Sequence, residues 1–338
     1  MSAVASSPAS PTRQTAWLGR VAALLALAAG VAAVELWGSR ILVSLLAQAA
    51  IVSLLALGVG FLARTSGLVS FGHAAPFGLG AYGAAWALSA KSPIAPEIAL
   101  ALVPVAVALA FFLIGFIVSR LEGIAFGMLT LALGQATYVA ATKFRGLTGG
   151  ADGVIVELPR RLFGARTDAL QDPYGMLIIA VLTLASVWAA LSIFEATHTG
   201  RLAAAIRENE ERVRFLGYRT RALKAMVFAL SATIAALGGV LFALYQGFVS
   251  PEILHWSFSG SALIMSILGG TGALWGPIAG AFAFFFLREG LTELTTHWLA
   301  VLGATLILVT VAWPTGLVGL VDAALRVTGL LRGKGGVR

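Results

Sequence analysis

Cut at its charged residues, the chain falls into long stretches without Asp, Glu, Lys or Arg: Ile41 to Ala63, Thr65 to Ala90, Ile98 to Ser119, Gly123 to Thr142, Pro173 to Phe194, Ala225 to Pro251, Ile253 to Leu287 and Leu294 to Val321. A membrane-spanning helix needs about 20 apolar residues, and a spanning β-strand about 10 that alternate, so continuous runs of this length predict helices. The window from Ile253 to Leu287 is the exception. Its 35 residues would make about 52 Å of helix, too long for one crossing of about 30 Å and too short for two with a turn. The tract Gly269-Gly-Thr-Gly272 is the expected break, leaving two abbreviated segments.

Ahead of these windows, Met1 to Thr15 is rich in Ser, Ala and Pro and reads as disordered, and Arg13 and Arg20 precede the apolar run Val21 to Val34. A removable leader would have a similar run, but the many spans that follow need none, so it reads as a retained first crossing anchored by Trp17 and Trp37. The count is then ten.

Composition agrees. Hydrophobic residues make up 59% of the 338 positions and charged residues 11%, against about 25% charged in soluble domains, so this is an all-α polytopic membrane protein. The net charge of +8 marks the ends of spans and does not point to nucleic acid. With no cysteine, disulfides, thiolate metal sites and a cysteine nucleophile are excluded.

Ten crossings with a cytoplasmic N-terminus place 15 basic residues inside and 8 outside, as the positive-inside rule requires. The expected organisation is a disordered cytoplasmic segment 1–16, one transmembrane domain 17–320 and a basic cytoplasmic tail 321–338. Within the domain, halves of about 17–142 and 173–320 are joined by an outer loop 143–172, and the second half carries an inner loop 199–224. Five crossings per half make any internal duplication an inverted repeat. The third segment of each half supports one: Ser66-Gly-Leu-Val-Ser-Phe-Gly-His-Ala-Ala-Pro-Phe-Gly-Leu-Gly80 and Gly247-Phe-Val-Ser-Pro-Glu-Ile-Leu-His-Trp256 both set Gly, Pro, Ser and one His at the start of an apolar run. Broken helices survive in lipid only where protein or a water-filled cavity satisfies the freed backbone, so paired breaks point to a translocation path. Close packing through small residues is the other reading, and Gly276-Pro-Ile-Ala-Gly280 has the spacing for it.

Two nucleotide-like motifs fail. Gly78-Leu-Gly-Ala-Tyr-Gly83 lies inside an apolar span, and Gly329-Leu-Leu-Arg-Gly-Lys334 has its glycines four apart with no Ser or Thr after the lysine. The histidines His73, His198, His255 and His297 are scattered, with no metal-ligand or catalytic spacing. Glu35 and Glu252 fall at span ends, which leaves His73 and His255 as the groups an ion-coupled carrier would use; hydrogen bonding within the bundle is the simpler role for both.

The inner loop carries the most informative segment, Arg201 to Tyr218. Asn209 is a good N-cap, Glu210 and Glu211 suit a first helical turn, Gly217 suits a stop, and Glu210 is spaced to pair with Arg214. Val213 and Leu216 offer an apolar stripe. A capped amphipathic helix in the longest inner loop suits docking into a groove on a cytoplasmic partner.

From about Leu57 to Leu320 the chain resembles the M-type permease subunits of branched-chain amino acid (leucine, isoleucine, valine) ABC importers. The resemblance rests on Ser70-Phe-Gly-His-Ala-Ala-Pro-Phe-Gly-Leu-Gly-Ala-Tyr82, Gly123-Ile-Ala-Phe-Gly-Met-Leu-Thr-Leu-Ala-Leu-Gly134 with Gln135, Thr148-Gly-Gly-Ala-Asp-Gly153, Ala205-Ile-Arg-Glu-Asn-Glu210 with Leu216-Gly-Tyr218, and Gly247-Phe-Val-Ser-Pro251. It departs at Pro76, where an aromatic residue is usual. The resemblance implies an H-type permease partner, two ATP-binding subunits that hold the ATP and Mg, a periplasmic solute-binding protein, and a bacterial inner membrane with both termini cytoplasmic. This chain itself would hold no cofactor. Arg207, Glu208, Asn209, Glu210, Arg212, Leu216 and Gly217 would then form the ATPase-coupling helix. Ser70, Gly72, His73, Gly78, Gly80, Tyr82, Gln135, Ser250, Glu252 and His255 are the candidates to line the substrate path, with N–H groups near Ser70 to His73 expected to meet a substrate carboxylate. A sister importer for urea, short amides or sugars, and an ion-coupled carrier, are the alternatives.

Overall fold

The computed structural model describes residues 39–89, 92–162, 164–294 and, beyond these, 296–297, 300–301, 303–304, 307, 311 and 315–320. The expected first crossing, the N-terminal segment, the basic tail and much of the last window lie outside the described residues. Among the described residues, five helices are long and apolar enough to cross a membrane: α1 (Arg40–Ser66), α3 (Pro96–Val118), α4 (Gly123–Lys143), α5 (Pro173–Ala196) and α8 (Thr220–Gln246). Between them lie α2 (Ala74–Leu88), α6 (His198–Glu208) and α7 (Glu210–Phe215), and after them α9 (Trp256–Gly269) and α10 (Gly276–Leu294). The long apolar window breaks at Gly269, as its length requires. The protein is an all-α polytopic membrane protein.

Local sequence sets the helix ends. Ser39 caps α1 through its side chain, Asp172 caps α5, and Pro96 and Pro173 occupy first-turn positions where a missing N–H costs nothing. Pro76 falls in the first turn of α2 for the same reason, so the departure from the family pattern leaves the helix intact.

The centre of the molecule is an antiparallel pair, α1 and α8. Each has 27 residues and ends on a left-handed glycine, Gly67 at φ 70° and Gly247 at φ 65°. Ser44 Oγ meets Tyr245 Oη at 2.8 Å near one end, and Ser231 Oγ donates to the Gly58 carbonyl at 2.7 Å further along. α8 packs against α2 and α3 of the first half, while α1 packs against α9 and α10 of the second, so the halves exchange their central helices. Gly67 lies against Arg207 of the inner loop, whereas Gly247 lies against Gln171 of the outer loop. The two breaks therefore open on opposite faces, which we call lower (the 199–224 side) and upper (the 143–172 side), as an inverted repeat demands.

Each short helix, together with its extended lead-in, runs along the central pair from one end towards the other. α2 has 15 residues and α9 has 14, about 21–23 Å each, and an extended lead-in supplies the rest. His73 meets Ser231, eleven residues into α8, so the chain from Gly67 reaches about 16 Å from the lower end before α2 begins. α3 then returns downward, with Gly115 against Phe228 and Ser119 bonded to the Arg221 carbonyl. α9 ends beside Arg64 at the lower end of α1, where the Arg64 guanidinium donates to the carbonyls of Thr271 and Gly272.

The outer loop is more ordered than its composition implies. Gly149, Gly150 and Gly153 all have positive φ, which only glycine adopts cheaply, and the tract delivers Val154–Ile155 to pair antiparallel with Phe248–Val249. The loop is thereby clasped onto the lead-in of α9, and Asp172 at its far end pairs with Arg40 at 3.0 Å.

Candidate functional site

The two lead-ins converge on α4. Gly72 packs so closely that a Cβ would stand 2.1 Å from the Thr130 carbonyl, and Thr130 Oγ1 accepts from the Phe71 N–H at 3.2 Å. Two turns on, the His255 ring meets the Tyr138 ring at 5.2 Å, edge to face. Gln135 lies between them on the same helix, and its Oε1 is buried without a partner. Gly78 faces Leu254 of the α9 lead-in, and Gly80 admits the Ala236 carbonyl of α8. A cavity of about 320 Å³ lies between α2, α3 and α4, walled by Gly72, Ala75, Phe111, Thr130, Gly134 and Phe228.

The path residues read from the sequence thus divide. Ser70, Gly72, His73, Gly78 and Gly80 are buried packing positions at the α2 break, while Ser250 is half-buried and Glu252 exposed at the α9 lead-in. Tyr82 is buried with its hydroxyl unpartnered. Tyr138, Ser231 and Ser259, which complete the cluster with Thr130 and Gly134, carry no sequence signal beyond being small or polar within an apolar run, whereas Thr130 and Gly134 lie in the Gly123 to Gly134 tract that carries the resemblance.

Several N–H groups at the start of α2 already have partners within the protein: Phe71 donates to Thr130, Gly72 to Ser70 Oγ, Ala74 to Ser259 Oγ at 2.7 Å and Ala75 to the Gly72 carbonyl. Proline at position 76 has none to offer. The protein thus satisfies much of its own helix start, as a buried backbone must.

His73 is locked in the same cluster. The Ser231 hydroxyl spends its one proton on the Gly58 carbonyl, so the contact of 2.6 Å between His73 Nε2 and Ser231 Oγ has the imidazole as donor. That assignment leaves Nδ1 as a bare, buried acceptor without a partner. The residue ties α2, α8 and α1 together, the structural role expected of it.

On the lower face, the inner loop forms a second constellation. Asn209 Oδ1 accepts from the Arg212 N–H at 2.9 Å and starts α7, and Gly217 stops it at φ 88°. Glu208 belongs to α6, so the break at Asn209 separates it from Arg212. Glu210 reaches Arg214 at 3.5 Å and forms a close ion pair with Lys224, which is 3% exposed and also lies 3.5 Å from Glu122. Burial alone would raise the Glu210 carboxyl; hydrogen bonds with Lys224, Glu122 and Thr220 and the Lys224 charge bring it down to about 2. Arg207 donates to the Arg64 carbonyl at 2.8 Å, and Arg64 in turn pairs with Glu195 of α5 at 2.8 Å. The loop therefore holds the lower ends of both central helices, α1 through Arg207 and α8 through Glu210. The expected stripe of Val213 and Leu216 divides: Val213 is buried under the helix, while Phe215 and Leu216 are 89% and 71% exposed.

The sequence model of the family described as branched-chain amino acid transport system permease component matches residues 41–310. The high-affinity branched-chain amino acid transport system permease protein LivM of Escherichia coli (strain K12) is 30% identical over 294 residues, covering 81% of this chain and 69% of that protein, and LivM of Salmonella typhimurium is 29% identical over the same shares. The autoinducer 2 import system permease protein LsrC of Photorhabdus laumondii is 34% identical over 134 residues, 36% of this chain and 37% of that protein. No solved structure matches the chain. With the family's sequence matched over residues 41–310, the chain belongs to the branched-chain amino acid transport system permease components.

Proposed function

We propose that the chain is a permease subunit of an ATP-binding-cassette importer that carries branched-chain or other apolar amino acids from a periplasmic binding protein into the cytoplasm. It would work in the bacterial inner membrane with an H-type permease and two ATP-binding subunits, which hold the ATP and Mg, and with both termini cytoplasmic. The observation that carries this reading is the lower-face loop. A capped helix presents Phe215 and Leu216 to solvent, while Arg207 and Glu210 fix it to the ends of α1 and α8. An exposed apolar pair on a rigidly mounted helix suits a groove on a motor protein, and the mounting gives that motor purchase on both repeat halves at once. ATP-driven closure of the partner subunits would then shift α1 against α8 and open the α2 and α9 breaks alternately to the two faces.

The identity with LivM supports the amino-acid class. The partial match to LsrC supports a second reading, a sister importer for a different small polar solute. Proteoliposomes holding this chain, its partner permease, the ATP-binding subunits and the binding protein distinguish them. Leucine uptake that needs ATP is expected; uptake by this chain alone, or ATP-driven uptake of sugars without leucine, would overturn the amino-acid reading.

A further inference from the structure

We infer that the lower end of α3 and the turn from α7 into α8 form a binding site for the phosphate headgroup of an anionic phospholipid. A half-open cavity of about 370 Å³ lies there, lined by Phe116, Arg214, Tyr218, Arg219, Thr220 and Arg221. Its two walls differ in chemistry. Along α3, the most apolar of the long helices, Leu102, Val105, Leu109, Leu113 and Phe116 recur at helical spacing and are all 45% exposed or more. This is a lipid-facing stripe, and it runs down into the cavity at Phe116. The opposite wall carries three guanidinium groups.

Those guanidiniums have few acids to answer them. The nearby carboxylates Glu210 and Glu122 are drawn to the buried Lys224, and only Arg214 shares Glu210, at 3.5 Å. Arg219 and Arg221 are exposed and have no acidic partner among the described residues. Arginine binds phosphate oxygens through its fork of donors, and a basic pocket at the end of a spanning helix selects anionic headgroups. The apolar wall favours a lipid over a free anion, because one acyl chain can lie along the α3 stripe while the phosphate meets Arg219 and Arg221. The site depends on α3 spanning the bilayer and not on which solute the protein carries.

The test is lipid retention by the purified full chain, read by native mass spectrometry after exchange into phosphatidylglycerol or phosphatidylethanolamine with the same acyl chains. Phosphatidylglycerol should be retained preferentially. The double variant Arg219→Gln with Arg221→Gln should bind it roughly thirtyfold more weakly, since each basic group near an anionic headgroup contributes about fivefold. Arg219→Lys with Arg221→Lys should keep most of the binding, which separates loss of charge from loss of fold. Phe116→Ser should weaken lipid retention and leave inorganic phosphate binding unchanged. Equal retention of the two lipids by the wild type, or undiminished retention by the double Gln variant, would overturn the site. Competition by millimolar inorganic phosphate together with indifference to Phe116→Ser would make it a free-anion site, and displacement of the lipid by the ATP-binding subunits would make it a protein-docking face; either also overturns the inference.

Discussion

Gly58 and Gly238, 180 positions apart in the chain, each admit a carbonyl of the opposite central helix. A Cβ at Gly58 would stand 2.8 Å from the Ser231 oxygen, and one at Gly238 would stand 3.1 Å from the Ile51 oxygen. Ile51 and Ser231 are themselves 180 positions apart, as are Gly67 and Gly247, and Ser70 and Ser250. The contact is thus self-complementary: residue and partner exchange roles under the repeat, as across a two-fold interface. In lipid no hydrophobic force draws α1 to α8, so this close approach and its dispersion contacts hold them.

Gly58→Ala should therefore destabilise the protein by about 1–3 kcal/mol through overpacking against the Ser231 carbonyl, and Gly238→Ala by less, because its nearest contacts, at 3.1 Å, need shift by only a few tenths of an ångström. The midpoint of thermal unfolding in detergent measures this. Gly260→Ala in α9, where a Cβ meets open space, is the neutral control; an equal loss there would refute the argument.

The ion pair of Glu210 with Lys224 should be essential to coupling. Removing one partner takes away the other's closest counter-charge and leaves Lys224 only Glu122, or Glu210 only Arg214, each at 3.5 Å, so the cost should fall below the about 3–5 kcal/mol of a fully uncompensated buried charge, whereas exchanging both restores the pair. ATPase stimulation by loaded binding protein should fall in Glu210→Gln and Lys224→Met and recover in part in Glu210→Lys with Lys224→Glu. Full stimulation in either single variant would show that the loop works without this tie.

The same carboxylate sets a pH limit. Its folded-state value, about 2, lies below its ordinary 4.5, so its stabilisation is fully present above about pH 4.5 and is lost as pH falls towards 2. Hydrogen exchange of α7 amides should stay constant from neutral pH to about 4.5, after correction for intrinsic rates, and lose protection below that. In Glu210→Gln the step should vanish.

Ser231→Ala should strand the His73 donor and deprive the Gly58 carbonyl of its side-chain bond, costing about 1–3 kcal/mol for buried groups left unmade. His73→Phe together with Ser231→Ala should recover part of that loss, because no unpaired imidazole then remains. A fully additive double variant, measured by thermal unfolding, would disprove the link.

Much of this was legible in the chain because bilayer physics is stringent. Charge-free windows of fixed length gave the helices, a window too long for one crossing located the break at Gly269, and Asn209 with Gly217 bounded α7. Periodicity could not tell which small residues meet which backbone. Ser231 and Ser259 differ in no local way from other polar residues in apolar runs, and their importance comes from partners 173 and 185 positions away.

By itself, then, the sequence determined which of the described segments form long apolar helices, where they break and which loop carries a capped helix, since backbone hydrogen bonding in lipid leaves each such segment almost no alternative. Only the tertiary structure decided that several N–H groups at the α2 start already have partners, that α1 and α8 change places between the halves, and that Glu210 spends its charge on Lys224. Those are matters of which distant groups come within bonding distance, and packing alone sets them.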